Sequence, residues 1–89
     1  METVHLIISG KVQGVFYRAS AKKKAEELNI NGWIKNTREG NVEAMISGEK
    51  EAVDRFVRWC KAGPERAVVE DVRVYIKELL EFDSFRVEK

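Results

Sequence analysis

The sequence predicts an α+β sandwich in which two helices cover one face of a β-sheet. Hydrophobic periodicity alternates between strand-like and helix-like segments in the order strand, helix, strand, strand, helix, strand. Glycines or other turn residues separate these segments, and a short apolar stretch follows as an additional strand. This βαββαβ order is the ferredoxin-like, split βαβ arrangement. The 89 residues, 44% of them hydrophobic, are predicted to form a single domain over residues 1–89 with one core.

The first strand and the first helix flank a glycine-containing loop. Residues 3–9 alternate between two faces, one of them strongly apolar, and therefore predict a strand. Small and apolar residues recur at helical spacing over 17–28, which predicts an amphipathic helix. The segment 29–32, which ends in Gly32, is predicted to terminate this helix.

The rest of the chain predicts a hairpin, a second helix and the remaining strands. Gly40 suits the left-handed position in the connection of the hairpin. Cys60 falls on the apolar stripe of the second helix, so we expect an inert thiol in the core. Strands are predicted at 33–35, 42–47, 68–76 and 85–87, and the second helix between Gly48 and Gly63.

Composition excludes several classes of function. The 16 Lys and Arg against 15 Asp and Glu give a net charge of +1, without the basic excess of a nucleic-acid backbone binder. A single cysteine excludes an internal disulfide and a CxxC site, and it favours a cytoplasmic location. No apolar run approaches the roughly 20 residues that span a bilayer, and the first residues do not resemble a signal peptide. We expect a monomer with no nucleic-acid or membrane partner.

Residues 10–18, GKVQGVFYR, predict an anion-binding loop. Two glycines separate an apolar strand from the start of a helix, so that successive backbone N–H groups can converge on one anion. No acidic residue occurs over 10–25, whereas Arg18 offers a planar guanidinium suited to phosphate or carboxylate. The pattern alone also fits a glycine turn followed by a solvated basic helix face.

The anion-binding loop contains neither a nucleophile nor metal ligands. A C-x5-R loop would need cysteine where Val12 stands, and a Walker motif would need lysine after Gly14. If the loop holds a phosphoryl group, direct attack by water on phosphorus is the remaining mechanism. This attack requires a good leaving group, such as the carboxylate of an acyl phosphate. Asn36 is the best candidate to position that water, because a neutral carboxamide both donates and accepts hydrogen bonds. Asparagine is also common as a plain turn residue.

Two segments resemble the signatures of the acylphosphatase family. They are GKVQGVFYR at 10–18 and GWIKNTREGNVEAMISG at 32–48, and the chain length and element order are also similar. The resemblance implies a five-stranded antiparallel sheet with two helices on one face. It also implies hydrolysis of a small-molecule acyl phosphate to a carboxylate and inorganic phosphate, without metal or cofactor. We expect a small free-standing enzyme; the acylphosphatase-like part of larger hydrogenase-maturation proteins is an alternative.

The resemblance assigns roles to individual residues. Arg18 would bind the phosphoryl group of the substrate, and Asn36 would orient the attacking water. Tyr17 departs mildly from the family, in which phenylalanine is usual at this place, and its hydroxyl needs a partner if it is buried. A non-catalytic ferredoxin-like module that binds RNA or a phospho-ligand is the alternative from another functional class. The implied phosphate-binding amides belong to Gln13, Gly14, Val15, Phe16, Tyr17 and Arg18.

Overall fold

The computed structural model describes all 89 residues and contains the predicted elements in the predicted order. This order confirms the α+β, ferredoxin-like fold class, with a short fifth strand after the βαββαβ unit. The elements are β1 (Glu2–Lys11), α1 (Tyr17–Glu27), β2 (Asn31–Asn36), β3 (Val42–Gly48), α2 (Lys50–Ala62), β4 (Val68–Lys77) and β5 (Phe85–Val87).

The five strands form one sheet in the order β4-β1-β3-β2-β5. β1 pairs antiparallel with β3 and β4, and β2 pairs antiparallel with β3. β5 instead pairs parallel with β2, with Gly32 opposite Phe85 and Ile34 opposite Val87. The sheet is therefore mixed, and the expectation of a wholly antiparallel sheet is corrected at this strand.

The path of the chain after β4 explains the direction of β5. Residues 78–84 cross the sheet at the end where β1 begins and β3 ends. The backbone N–H of Leu80 donates to Thr3 Oγ1 at 2.9 Å, and Ser47 Oγ donates to the carbonyl oxygen of Leu80 at 2.7 Å. Because the chain stays at this end, β5 runs in the direction opposite to β4. It therefore runs in the same direction as β2.

Alternate residues of the strands face both helices and form the core. The small side chains of Ala21 and Ala25 let α1 lie close to the sheet, and both are completely buried. Both helices lie on the same sheet face, as predicted, because their buried residues share one cluster with the strands. This cluster includes Val4, Leu6, Ile8, Ile34, Val42, Ala44, Ile46 and Phe85 from the sheet, Tyr17, Ala21 and Ala25 from α1, and Val53, Phe56 and Cys60 from α2.

The segment 29–32 follows the end of α1, as predicted, but Gly32 itself does not terminate the helix. α1 ends at Glu27, and the residue with left-handed φ beyond it is Asn29, at 57°. Gly32 lies within β2 with φ +147°, and a Cβ there would collide with the carbonyl oxygen of Met45 on β3. The prediction for Gly40 is confirmed, since its φ is +90°.

Three strands that run in the same direction bring their final residues to one end of the sheet. β1 ends at Lys11 and leads into the anion-binding loop, β2 ends at Asn36, and β5 ends at Val87. This end therefore collects the predicted loop and the predicted water-positioning residue. Neither α1 nor α2 is long and apolar enough to cross a membrane.

Candidate active site

The anion-binding loop presents a row of backbone N–H groups that have no internal acceptor. Gly14 and Phe16 adopt left-handed φ angles of 73° and 64°, a loop geometry that turns successive amides toward one side. No backbone carbonyl accepts a hydrogen bond from the N–H groups of residues 13–19. α1 also lacks a side-chain cap and has no acidic residue in its first turn. These donors and the positive end of the helix dipole are available to an anion.

Phe16 has a backbone conformation that bulky residues rarely adopt. Its φ and ψ are 64° and 23°, and its side chain is 72% exposed. A left-handed conformation costs a residue with a Cβ about 1 to 2 kcal/mol, and strain of this kind concentrates at ligand-binding sites. An exposed aromatic ring on a strained loop indicates that this loop is shaped for a ligand.

Arg18 lies in the first turn of α1 and is fixed by the segment that follows β5. Its Nη1 donates to the carbonyl oxygen of Glu88 at 2.8 Å. Arg18 takes part in none of the ion pairs within the chain. Because a guanidinium has five donors, the remaining donors of Arg18 are free for a ligand.

Asn36 is the last residue of β2 and carries the one buried side-chain polar atom without a hydrogen-bond partner, its Oδ1. An unpaired buried acceptor costs about 1 to 3 kcal/mol, so it calls for an explanation in function. Asn36 lines the same cleft as Arg18. The structure thus brings together the two residues singled out by the sequence.

The cleft has a volume of about 530 Å³ and is lined by Gly14, Phe16, Tyr17, Arg18 and Asn36 among the predicted site residues. No carboxylate, imidazole or thiol lines the cleft, so its charge is positive. Two of the predicted residues do not line it. The Val15 side chain is buried in the core, and the Gln13 side chain is bonded to the loop after β2. The cleft is completed by Val12, Ala19, Lys22 and Val87.

Comparison with known proteins identifies the family. The acylphosphatase family model matches residues 4–87. This chain belongs to the acylphosphatase family. An acylphosphatase from Marinobacter nauticus is 47% identical over 83 residues, which cover 92% of this chain and 90% of that relative. These matches confirm the resemblance found in the two signatures and support the acylphosphatase interpretation over a non-catalytic binding module.

Solved acylphosphatase structures have the same fold. The acylphosphatase from Coxiella burnetii superposes with a TM-score of 0.94 at 40% identity, covering 98% of this chain and 92% of the other. The acylphosphatase from Bacillus subtilis gives a TM-score of 0.96 at 31% identity, covering 100% of both chains. The mixed five-stranded sheet with two helices is therefore an acylphosphatase fold.

Sequence reasoning did not assign four residues to this acylphosphatase cleft. Lys22 follows Arg18 by four residues, so helical spacing places it on the same face of α1 and could have identified it. Val87 has no comparable signal, because its position depends on the pairing of β5 with β2. Val12 and Ala19 contribute small apolar portions of the wall and carry no distinctive sequence pattern.

Tyr17 connects the acylphosphatase cleft to α2. Its hydroxyl donates to the carbonyl oxygen of Cys60 at 2.8 Å, so the partner that this hydroxyl needs is in place. Burial raises the pKa of Tyr17 far above its ordinary value and raises the pKa of Cys60 to about 12. Both groups remain protonated near neutral pH. Cys60 is completely buried, as predicted, and neither group is suited to act as a base in the cleft.

Proposed function

We propose that this chain hydrolyses the carboxyl–phosphate bond of acyl phosphates, giving a carboxylate and inorganic phosphate. The observation that carries the proposal is the meeting, in one cleft, of unpartnered backbone N–H groups, the Arg18 guanidinium and the unpaired Asn36 carboxamide. Membership of the acylphosphatase family supports the same activity.

The anion-binding loop and Arg18 bind the phosphoryl group. N–H groups from residues 13–18 and the guanidinium donate to the phosphoryl oxygens, where negative charge is concentrated. The donors are held by the backbone and by the bond from Arg18 to Glu88, so little rearrangement is needed during reaction. No carboxylate lines the cleft, so no negatively charged side chain repels the phosphoryl group.

Asn36 orients the water that attacks phosphorus. The water oxygen forms the new P–O bond, while the bond between phosphorus and the acyl oxygen breaks and its electron pair leaves with the carboxylate. The proton of the water passes to a phosphoryl oxygen of the substrate, since no side chain in the cleft is suited to accept it. The role of the protein is to position the reactants and to stabilise charge.

The acyl group lies against the apolar part of the cleft. Phe16 and Val87 are 72% and 39% exposed and form this wall, and the cleft is larger than a phosphoryl group alone requires. An aromatic acyl group can bury surface against both side chains. Benzoyl phosphate is therefore the substrate of choice for testing the proposal.

Two substitutions separate binding from turnover. Asn36→Ala is expected to lower kcat for benzoyl phosphate about 100-fold or more, because the water is no longer held. Inhibition by inorganic phosphate should remain nearly unchanged, since the anion-binding loop is intact. Arg18→Ala should raise the phosphate inhibition constant about 10- to 100-fold and lower the rate as well.

The matched control is Lys23→Ala, which removes an exposed positive charge of α1 that does not line the cleft. It should leave kcat for benzoyl phosphate and the phosphate inhibition constant within about twofold of the values for the unaltered protein. Near-normal hydrolysis by Asn36→Ala, or no hydrolysis by the unaltered protein, would refute the proposal.

Several expectations remain predictions beside this proposal. No group of three His, Cys, Asp or Glu side chains is arranged to hold a metal ion, and we expect EDTA to leave the rate unchanged. The single-domain organisation, the monomeric state and the cytoplasmic location are likewise predictions from the sequence.

A further inference from the structure

No side-chain hydrogen bond holds the Asn36 carboxamide. Its Oδ1 is buried without a partner, and Asn36 is the terminal residue of β2, opposite Val42 on β3. The orientation of the carboxamide therefore depends on packing and on the backbone that continues from residue 36. Whatever fixes that backbone also fixes the position of the attacking water.

The hairpin loop, residues 37–41, closes on itself directly after Asn36. The N–H of Thr37 donates to the carbonyl oxygen of Asn41 at 2.9 Å, and the N–H of Gly40 donates to the carbonyl oxygen of Thr37 at 3.2 Å. The N–H of Asn41 donates to Thr37 Oγ1 at 3.1 Å. These bonds give the loop a defined shape, but they do not connect it to the anion-binding loop.

The Gln13 side chain makes that connection. Its Nε2 donates to the carbonyl oxygens of Thr37 and Asn41, each at 2.8 Å, so both amide hydrogens are used. Gln13 is half-buried and lies in the anion-binding loop, while Thr37 is the residue immediately after Asn36. One carboxamide therefore ties the phosphate-binding half of the cleft to the water-positioning half.

We propose that Gln13 is a positioning residue whose side chain sets the distance between the bound phosphoryl group and the Asn36 carboxamide. This role rests on the proposed acyl phosphate hydrolysis, and it is separate from the backbone N–H of Gln13, which belongs to the anion-binding loop. The side chain acts through the hairpin loop and does not line the cleft. An in-line attack tolerates little displacement, since a shift of about 1 Å can lower a rate about 100-fold.

The decisive variant is Gln13→Met, which keeps the length of the side chain but removes both donors. We expect kcat for benzoyl phosphate to fall about 10- to 100-fold, while the inhibition constant for inorganic phosphate changes less than about twofold. This split follows because the phosphate-binding N–H groups remain and only the placement of Asn36 is lost. A purely structural role would weaken phosphate binding and turnover together.

The matched control is Asn31→Leu. The Nδ2 of Asn31 donates to the carbonyl oxygen of Phe82 at 2.9 Å, a bond of the same kind that joins a strand to the segment 78–84 at the far end of the sheet. Its loss should lower the free energy of unfolding without changing kcat. A similar fall in kcat for Asn31→Leu would show that general loosening, rather than Gln13, controls the rate.

A second variant keeps the test decisive if Gln13→Met does not fold. Gln13→Ala also removes both donors, so kcat is expected to fall at least about 10-fold while the inhibition constant for inorganic phosphate again changes less than about twofold. A wild-type kcat in Gln13→Met, or equal losses of kcat and phosphate binding in either variant, would overturn the inference. Absence of hydrolysis by the unaltered protein would instead refute the proposed function, so the two failures are distinguishable.

Discussion

The Tyr17 hydroxyl occupies a place where the end of α2 needs a donor. The carbonyl oxygen of Cys60 is among the last four of α2, which lack helical partners, and Tyr17 donates to it at 2.8 Å inside the core. Tyr17→Phe should lower the free energy of unfolding by about 1 kcal/mol, because a buried acceptor loses its donor. Urea denaturation measures the change. Tyr75→Phe is the control, since Tyr75 is 44% exposed, and comparable losses in both variants would contradict this account.

A local sequence pattern can identify a candidate functional residue only where the type of its side chain and its position together suggest a role. The sequence predicts roles for Arg18 and Asn36, which the structure places in one cleft, because a guanidinium beside a glycine loop and a neutral amide after a strand have recognisable chemical uses. The hydrogen bonds of the Gln13 side chain could not be predicted in this way, and the sequence predicts a role only for its backbone amide. Its two acceptors are backbone carbonyls 24 and 28 residues away, and carbonyls carry no residue-specific signal.

At the level of the elements, Gly32 controls how closely β2 approaches β3. A Cβ at this position would collide with the Met45 carbonyl oxygen, and φ is +147°. Gly32→Ala should lower the free energy of unfolding by about 3 kcal/mol or prevent folding, because the backbones must separate. Gly40→Ala is the control, with φ +90° but no atom within 4 Å of the added Cβ, and it should cost about 1 kcal/mol. Thermal unfolding compares the two, and equal losses would exclude a steric role for Gly32.

The elements were predictable in type and order, whereas the pairing of the last strand was not. Periodicity located both helices and the strands of the hairpin because each buries one face on the core. The partner and direction of β5 depend instead on where residues 78–84 cross the sheet, which is set by the hydroxyl groups of Thr3 and Ser47 bonding to Leu80. The bonded residues are 77 and 33 positions apart in the sequence, so these contacts leave no periodic signal in residues 78–84.

For the whole molecule, strand direction determines where the cleft forms. β1, β2 and β5 all end at the same side of the sheet, so the anion-binding loop, Asn36 and the carbonyl oxygen of Glu88 are brought together there. The opposite end is closed by residues 78–84. Contacts between distant parts of the sequence therefore shape the cleft, while most of the residues proposed to act in it lie in two short signatures.

Burial of Cys60 makes the stability of the whole molecule sensitive to alkaline pH. Its pKa is raised from 9.0 to about 12, so the unfolded chain loses this proton first and the free energy of unfolding falls as pH rises from 9 toward 12. Cys60→Ala removes this pH-dependent contribution. The cavity that the substitution creates also lowers the free energy of unfolding, but by an amount that does not depend on pH. Between pH 8 and pH 10, the stability of the unaltered protein should therefore fall about 1 kcal/mol more than that of the variant. Urea denaturation at both pH values measures this difference, and parallel pH profiles would show that the thiol ionises equally in both states.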